Sequence, residues 1–355
     1  MNGLTRNLGV GLLAAGLVSL AASSQASQLV FPYIVNSATV TTVISVANLT
    51  PPGHPGGGDS LLRHVYMYKS GAASGVADTA CARTSTIQLS SANNDLQTFD
   101  VGGYFGAGSR GVLFNDPSGN NNWNTGGQTW ASLSGLAPVR AYGVVDNNND
   151  DSGEGWPAPY LHGEAFIYEF GSGAAWGYQA LDDKGTGGSI NVDGFTFGHR
   201  LPYTVFIPST RFSFMPITEF NTRFFVTPVA PEMTDVNAQG RVRVFPYVGE
   251  DLAGYDRDGN PVPGYVEQNA TCVAGLSMES MLTNSAANAL QNGGWAYFVT
   301  ITPETGLPGT FGALSSSVIK LEFNKGATFN GEPVGGVFNS ALMLRGMRGA
   351  YPEEF

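Results

Sequence analysis

The sequence predicts an all-β fold in which two tandem, related β-sandwich modules follow a cleaved signal peptide. Three observations predict this architecture. Strand-type runs of about 5–8 residues recur along the whole chain. Glycine is abundant, at 48 residues, while charged residues make up only 13% of the chain. Strand motifs of the first half also return in the second half at a nearly constant offset.

Residues 1–26 are predicted to form a secretory signal peptide. Arg6 is the only charge ahead of the apolar residues 8–20. Ser24 and Ala26 place small side chains where a signal peptidase inspects them, so cleavage is expected after Ala26. The apolar run is shorter than the ~20 residues of a membrane helix, although an uncleaved anchor is the alternative. The protein is therefore expected outside the cell or on its surface, with the periplasm as the alternative compartment. No transmembrane segment is expected in the mature chain.

The predicted strands are rich in β-branched and aromatic residues and are bounded by Gly, Asn, Asp or Pro. Alternating polar and apolar side chains are clearest in residues 64–69 and 241–245, which is typical of strands with one buried face. The predicted strands cover residues 40–46, 63–68, 139–145, 164–170, 175–180, 223–228, 241–245, 295–301, 318–323 and 340–344. The single convincing helical pattern, residues 277–290, predicts a short connector.

The repeat of strand motifs predicts the domain boundaries. Its matched runs are 43–47 with 224–228, 65–68 with 242–245, 111–114 with 294–298, and 164–167 with 340–343. Two modules are therefore expected over residues 27–200 and 201–355. Each is expected to close as a sandwich, because an open sheet of about seven strands would expose long edges. A transmembrane barrel is the architectural alternative. The low charge content of the chain and its short, unevenly spaced strands argue against a barrel.

The two cysteines predict a bridge between the modules. Cys81 and Cys272 are the only cysteines of the chain. An even number of cysteines in an exported protein favours a disulfide over two buried free thiols. If the two modules are duplicates, the cysteines are expected at equivalent positions in them.

The charge balance excludes one class of partner and suggests another. The formal net charge is −11. Nucleic acid is therefore not expected as a partner, because phosphate binding requires clustered Lys and Arg. An acidic surface suits an extracellular protein that stays dissolved or binds cations.

One acidic stretch is a candidate Ca²⁺ site. It offers closely spaced oxygen donors on a turn, of the kind that Ca²⁺ binds. The candidate metal ligands are Asp146, Asn148, Asp150, Asp151 and Glu154. The stretch departs from the standard Ca²⁺ loop, because Asp151 replaces the expected glycine and Ala158 occupies the twelfth position. A solvated acidic loop is the alternative. A second acidic stretch, residues 255–260, is interpreted as a hairpin turn around Asp258-Gly259-Asn260.

No motif in the sequence predicts catalysis, so a non-enzymatic protein is expected. Residues 106–111 match the dinucleotide-binding glycine pattern but lack its strand–helix setting. A site assembled in space from distant residues would make the protein a secreted hydrolase, which is the least favoured alternative. The histidines and carboxylates available for such a site are His54, His64, His162, His199, Glu164, Glu169 and Glu219.

The mature start resembles a known group of proteins. Residues 28–35 (QLVFPYIV) lead directly into residues 41–48 (TTVISVAN), and the motifs 163–166 (GEAF) and 174–178 (AAWGY) follow. With these motifs the chain resembles a group of secreted, mostly uncharacterised proteobacterial surface β proteins along most of its mature length. The resemblance implies an exported β protein and carries over no established function.

The composition favours a secreted or cell-surface structural protein of the surface-layer or matrix type. Low lysine and cysteine, an acidic balance and paired modules are the observations behind this expectation. Its partners would be further copies of itself or components of the cell envelope. The alternative is an extracellular carbohydrate- or ligand-binding protein in which aromatic rings stack on glycans. The tryptophans considered for such stacking are Trp123, Trp130, Trp156 and Trp176.

Overall fold

The fold was analysed in a computed structural model. It describes residues 28–49, 60–92, 94–102, 133, 135–147, 161–170, 175–182, 191–192, 195–196, 209–229, 233–234, 236, 239–301, 315–324, 328–329, 332–333 and 339–343. The described chain is nearly all β, and every strand pair is antiparallel, which confirms the predicted all-β class, while the two tandem modules stay a prediction. In these residues no helix has the length and apolarity needed to cross a membrane. The predicted signal peptide lies outside the described residues.

The strands are numbered in chain order. They are β1 (Gln28–Asn36), β2 (Val40–Asn48), β3 (Ser60–Ser70), β4 (Ala82–Arg83), β5 (Ile87–Ser91), β6 (Leu96–Asp100), β7 (Val139–Asn147), β8 (Leu161–Glu169), β9 (Ala175–Gln179), β10 (Leu181–Asp182), β11 (Asn191–Val192), β12 (Phe195–Thr196), β13 (Ser209–Phe214), β14 (Phe220–Val229), β15 (Arg241–Tyr247), β16 (Leu252–Asp256), β17 (Pro261–Pro263), β18 (Gln268–Thr271), β19 (Ala274–Ser277), β20 (Gly294–Ile301), β21 (Ser315–Asn324), β22 (Thr328–Phe329), β23 (Glu332–Pro333) and β24 (Asn339–Met343).

Two larger sheets form in each half of the chain. In the first half, a six-stranded sheet has the order β10-β1-β7-β3-β4, with β5 also paired to β3, and a four-stranded sheet has the order β6-β2-β8-β9. In the second half, the six-stranded sheet runs β17-β16-β20-β15-β18, with β13 paired to β20, and the four-stranded sheet runs β19-β14-β21-β24. No larger sheet of the described chain takes strands from both halves.

The two halves share one pairing pattern. In the first half β7 lies between β1 and β3, β5 pairs with β3, and β2 lies between β6 and β8. In the second half β20 lies between β13 and β15, β18 pairs with β15, and β14 lies between β19 and β21. Strands β9 and β24 then pair with β8 and β21. Eight strands of each half therefore pair in the same chain order, while the module boundaries at residues 27, 200 and 355 stay predictions.

Three details of the predicted repeat disagree with the pairing pattern. The pattern makes β21 the counterpart of β8 and β20 the counterpart of β7, whereas the motif comparison matched residues 340–343 with 164–167 and residues 294–298 with 111–114. The cysteines are also not equivalent, since Cys81 precedes β4 whereas Cys272 separates β18 from β19. The mismatched strands have one cause: short strands of similar composition can be aligned in more than one way.

Strand alternation places one face of each sheet in a core. On β8, residues 161, 163, 165 and 167 are buried, while His162, Glu164 and Phe166 are exposed. The first-half core packs Phe31, Ile44 and Tyr66 between its two sheets. Three phenylalanine rings lie in the second-half core. The ring centroid of Phe224 is 4.9 Å from that of Phe212 and 4.7 Å from that of Phe298. In each half, residues of the two larger sheets therefore share one core.

A third core joins the two halves. The second face of the first-half six-stranded sheet contributes Val65 and Val144, and the second-half four-stranded sheet contributes Phe225, Ile319 and Leu321. We call this contact between the halves the seam. The Thr227 hydroxyl donates a hydrogen bond across it to the Pro32 carbonyl. The seam is thus built from strand faces, like the core of each half.

The predicted helix is much shorter than its sequence pattern. Helix α1 spans Asn284–Ala289, and the Thr283 side chain caps it by accepting a hydrogen bond from the Ala286 amide. Ser277 belongs instead to β19, and a single 3-10 turn covers Glu279–Met281. The buried residues Met278, Met281 and Leu282 imitate helical spacing because they lie at the start, the end and just after this turn. The predicted hairpin is confirmed, since Asp258 and Gly259 connect β16 to β17.

Candidate functional site

One part of the seam is fastened by covalent and polar bonds. Cys81 and Cys272 form the predicted disulfide, with a Cα–Cα distance of 5.6 Å and 191 residues between them. Beside it, the Gln239 side chain accepts a hydrogen bond from the Cys81 amide at 2.7 Å and donates one to the Cys81 carbonyl at 2.8 Å. We call this part of the seam the latch, defined by Cys81, Cys272, Gln239 and Asp78.

Asp78 completes the latch from the first half. Its carboxylate accepts a hydrogen bond from the Thr271 hydroxyl at 2.8 Å and pairs with the Arg241 guanidinium. Nearby, the buried Lys69 ammonium donates hydrogen bonds to the carbonyls of Val76 at 2.8 Å and Ala77 at 3.2 Å. Burial lowers the pKa of Lys69 to about 8. The polar groups of the latch therefore find their partners within the protein.

Another part of the seam is open. A cleft of about 560 Å³ lies between the halves, which is within the size range of small-molecule sites. Strands β1, β7, β8 and β9 form one wall and strands β14 and β21 form the other. The lining residues are Tyr33, Val35, Asn36, Ser37, Val40, Ser74, Pro138, Val139, Arg140, Ile167, Glu169, Trp176, Arg223, Phe225, Leu321, Phe323 and Asn324. We call this opening the seam cleft.

Three aromatic rings lie together at the seam cleft. The Phe225 ring is nearly parallel to Tyr33, with centroids 3.9 Å apart, and to Trp176, with centroids 5.6 Å apart. The Tyr178 side chain is bonded to the backbone of Tyr33. Its hydroxyl donates a hydrogen bond to the Tyr33 carbonyl and accepts one from the Tyr33 amide at 3.2 Å. These contacts fix the rings, so the aromatic wall is formed before any ligand arrives.

Arg140 is held in place beside these rings. Its Nη1 donates a hydrogen bond of 2.7 Å to the Ser74 carbonyl. Its guanidinium lies against Gly275 of the opposite half, where an added Cβ would come within 3.2 Å of Arg140 Cζ. Any larger residue at position 275 would crowd the guanidinium, so the glycine leaves the space that Arg140 occupies.

The pKa of the Tyr33 hydroxyl depends on burial and on the charged side chains at the cleft. Burial raises the pKa of Tyr33, and the nearby Arg140 and Arg223 partly oppose this by favouring the phenolate. Both guanidinium groups, Arg140 on β7 and Arg223 on β14, therefore favour the charged form of the same hydroxyl. Glu169 is the one carboxylate among the described lining residues. Within the described chain, the charged side chains that line the cleft are thus two cations and one anion.

The predicted Ca²⁺ stretch is only partly described. Asp146 lies in β7, opposite Gln28 of β1 and Arg63 of β3. Asn148, Asp150, Asp151 and Glu154 lie outside the described residues. Among the residues that the structure describes, no three His, Cys, Asp or Glu side chains are grouped closely enough to hold a metal ion. Calcium binding by this stretch stays a prediction.

The residues considered for a hydrolase do not come together in the described chain. His64 is buried in the first half, and its Nδ1 lies 3.2 Å from the Tyr66 hydroxyl. His162 and Glu164 form an exposed pair, 3.4 Å apart, on the outer face of β8. Glu169 lines the seam cleft, and Glu219 is exposed in the turn before β14. His54, His199 and residues 106–111 lie outside the described residues.

Among the tryptophans considered for sugar stacking, Trp176 lines the seam cleft, while Trp123, Trp130 and Trp156 lie outside the described residues. Sequence reasoning did not consider Trp295, which is half-buried on β20. Arg211 lies 4.3 Å from its ring centroid, and the Tyr255 ring stacks on it at 4.8 Å. Strands β13 and β16, which carry these two groups, flank β20 on opposite sides. Trp295 therefore already packs against a cation and an aromatic ring of the protein.

Sequence reasoning also did not identify Tyr33, Arg140, Arg223 and Phe225 as site residues. One signal was available, because Arg223 interrupts an apolar strand next to Phe224 and Phe225. No family model, curated protein or solved structure matches this chain. The resemblance to secreted proteobacterial surface proteins therefore stays a prediction.

Proposed function

We propose that this protein is an exported, non-enzymatic binding protein that holds a small ligand in the seam cleft. The observation that carries the proposal is the cleft itself, which combines a pre-formed aromatic wall with a few converging polar groups. Such a combination is typical of small-molecule sites, which are largely apolar with a small number of orienting polar side chains. Their position between two packed units is also typical of ligand sites.

The expected compartment agrees with this proposal. A disulfide persists in oxidising compartments outside the cytoplasm, and Cys81–Cys272 is such a bond. Together with the predicted signal peptide, it supports an extracellular or cell-surface location, with the periplasm as the alternative. A protein that binds ligands in that location can capture compounds from the surroundings of the cell.

The proposal is tested by filling the cleft. A panel of neutral sugars, acidic sugars, aromatic acids and fatty acids is screened by thermal shift, and each hit is measured by titration calorimetry. Val40 lines the cleft, so Val40→Trp should weaken each hit at least about tenfold by occupying its space. Val266 is exposed and outside the cleft lining, so Val266→Trp is the matched control and should bind normally. Hits that Val40→Trp still binds equally well, or a panel without hits at millimolar concentration, would contradict the proposal.

Self-assembly into a surface layer or matrix is the second candidate function. The observation that favours it is that apolar side chains, exposed in the first half and half-buried in the second, lie on outward faces of both halves. Phe166, with 47% of its surface exposed, lies on the outer face of the first-half four-stranded sheet. Half-buried Tyr255 and Trp295 lie on the outer face of the second-half six-stranded sheet. Large exposed apolar groups of this kind are common at contacts between proteins.

Light scattering after size exclusion, with and without millimolar Ca²⁺, separates the two candidates. Ordered oligomers that lose their contacts in Phe166→Ser would support assembly. Oligomers that require Ca²⁺ would in addition implicate the acidic stretch from Asp146 to Glu154. A monomer in both conditions would contradict assembly and leave ligand binding as the function.

A further inference from the structure

Arg223 is the least satisfied charge in the described part of the seam cleft. Its side chain is half-buried at the cleft, on the wall formed by β14. Within the described chain, its guanidinium makes no hydrogen bond and no ion pair. Removing a guanidinium from water without giving it an acceptor costs free energy, so such a group is suited to receive an acceptor from a ligand.

Arg140 adds a second guanidinium that is already oriented. One nitrogen, Nη1, is used by the Ser74 carbonyl, and the group rests against Gly275. A guanidinium carries five N–H donors, so the backbone bond to Ser74 and the side-chain hydrogen bond with Tyr33 leave others for a ligand. Arg140 approaches from β7 and Arg223 from β14, which places cations on both walls of the cleft.

The charge of the cleft differs in sign from the charge of the chain. The formal net charge of the protein is −11, yet the charged side chains of the cleft lining that the structure describes are two arginines and one carboxylate, that of Glu169. Around these cations the lining is apolar, with Val40, Ile167 and Phe323 near the aromatic wall. An anion would therefore be attracted to this point of a surface that repels anions elsewhere.

We propose that the seam cleft selects organic anions, with the anionic head group bound by Arg223 and Arg140 and an apolar ring or chain packed against Trp176 and Phe225. This inference rests on the proposed binding function and adds the chemical class of the ligand. Planar guanidinium groups bind carboxylate, sulfonate and phosphate oxygens alike through paired hydrogen bonds. The shared chemistry is therefore an anionic head on an apolar body.

A matched pair of fluorescent probes tests the class of ligand. The first probe is 8-anilinonaphthalene-1-sulfonate, and the second is N-phenyl-1-naphthylamine, which has the same rings without the sulfonate. The folded wild-type protein should bind the sulfonate probe more tightly than the neutral probe. Arg223→Gln should weaken binding of the sulfonate probe about tenfold or more, because a charged hydrogen bond is lost, and leave binding of the neutral probe unchanged.

Two further variants control the experiment. Arg257→Gln removes an exposed arginine from the hairpin between β16 and β17, outside the cleft lining, and should not alter either affinity. Trp176→Leu should weaken both probes, because it removes ring surface and no charge. Near-ultraviolet circular dichroism of each variant must match the wild type, so that probe binding to unfolded chains is not measured.

The outcomes separate this inference from the proposed function. Equal binding of both probes that Val40→Trp abolishes would overturn selection for anions and keep the seam cleft as a binding site. Binding of neither probe, or binding that Val40→Trp leaves intact, would overturn both. Displacement of the bound sulfonate probe by 1-naphthoate and by 1-naphthyl phosphate is then compared. The more effective competitor shows whether the cleft prefers a carboxylate or a phosphate head group.

Discussion

The latch and the seam cleft belong to the same contact between the two halves but are built in opposite ways. At the latch, Cys81 is bonded covalently to Cys272 and its backbone is paired with the Gln239 side chain. At the cleft, the walls stand apart and Arg223 makes no hydrogen bond or ion pair with the described chain. A contact that served only stability would be closed throughout, because empty space and unpaired charge both lower stability.

This difference assigns separate tasks to the two regions. The latch supplies stability to the contact between the halves through the disulfide and the bonds beside it. The cleft gives up some stability to keep Trp176 and its cations, which are only half-buried, accessible. Substitutions at the latch should therefore change the free energy of unfolding, while substitutions at the cleft should change binding.

Loss of the disulfide should have the largest effect. In Cys81→Ala/Cys272→Ala the free energy of unfolding should fall by about 3–5 kcal/mol, because the bond restricts a long loop of the unfolded chain. Guanidinium denaturation of the wild type and the double variant measures the change. Added reductant should lower the stability of the wild type toward that of the variant and leave the variant unaffected. A loss below about 1 kcal/mol would mean that the latch does not hold the seam.

Acid should weaken the first-half core through His64 while the latch stays intact. Burial lowers the pKa of His64 to about 3, from an ordinary value of 6.5. As the pH falls below 6.5, the unfolded chain takes up a proton that the folded protein refuses. Stability is therefore lost between pH 6.5 and about 3, by about 1.4 kcal/mol per pH unit from this group.

The contribution of His64 is measured as a difference between two proteins. Urea denaturation from pH 7 to pH 4 should give the wild type a steeper loss of stability than His64→Gln, which cannot take up the proton. The difference should reach about 2–3 kcal/mol near pH 4.5. Parallel pH curves for the two proteins would show that His64 is not buried as described.

Removing the polar partner of Cys81 should have a moderate effect. Gln239→Ala leaves the Cys81 amide and carbonyl without their side-chain partners, which should lower the free energy of unfolding by about 1–3 kcal/mol. Gln291 is exposed and makes no side-chain hydrogen bond in the described chain, so Gln291→Ala is the matched control. Equal, near-zero effects of the two substitutions would place the stability of the latch in the disulfide alone.

Removing Arg223 should have the smallest effect on stability. Arg223→Gln should change the free energy of unfolding by less than about 0.5 kcal/mol, because no bond within the described chain is lost. The same denaturation experiment as for Gln239→Ala measures it. A loss above about 1.5 kcal/mol would show that Arg223 is a structural residue, and would remove the contrast between the latch and the cleft.

The sequence predicted those features that depend on local patterns or on counting. Alternation in residues 241–245 identified β15, and Asp258-Gly259 identified the hairpin between β16 and β17. The disulfide followed from there being only two cysteines. The helix over residues 277–290 was overextended because the pairing of Ser277 with Arg223 in the sheet overrides local helical spacing.

The seam cleft could not be predicted in this way. Tyr33, Arg140, Trp176 and Arg223 lie on four strands spread across both halves, and only packing of strand faces brings them together. Alternation shows which residues share a face of a strand, but not which sheet that face meets. The prediction of a Ca²⁺ site in the acidic stretch is limited in the same way, because it rests on the spacing of residues along the chain alone.

The most direct test of the account is a crystal structure of the protein with 8-anilinonaphthalene-1-sulfonate bound. The account predicts density for one probe in the seam cleft, with its rings against Trp176 and its sulfonate within hydrogen-bond distance of Arg223. A probe bound instead against Tyr255 and Trp295 on the outer sheet face, with the cleft free of probe, would contradict the central claim.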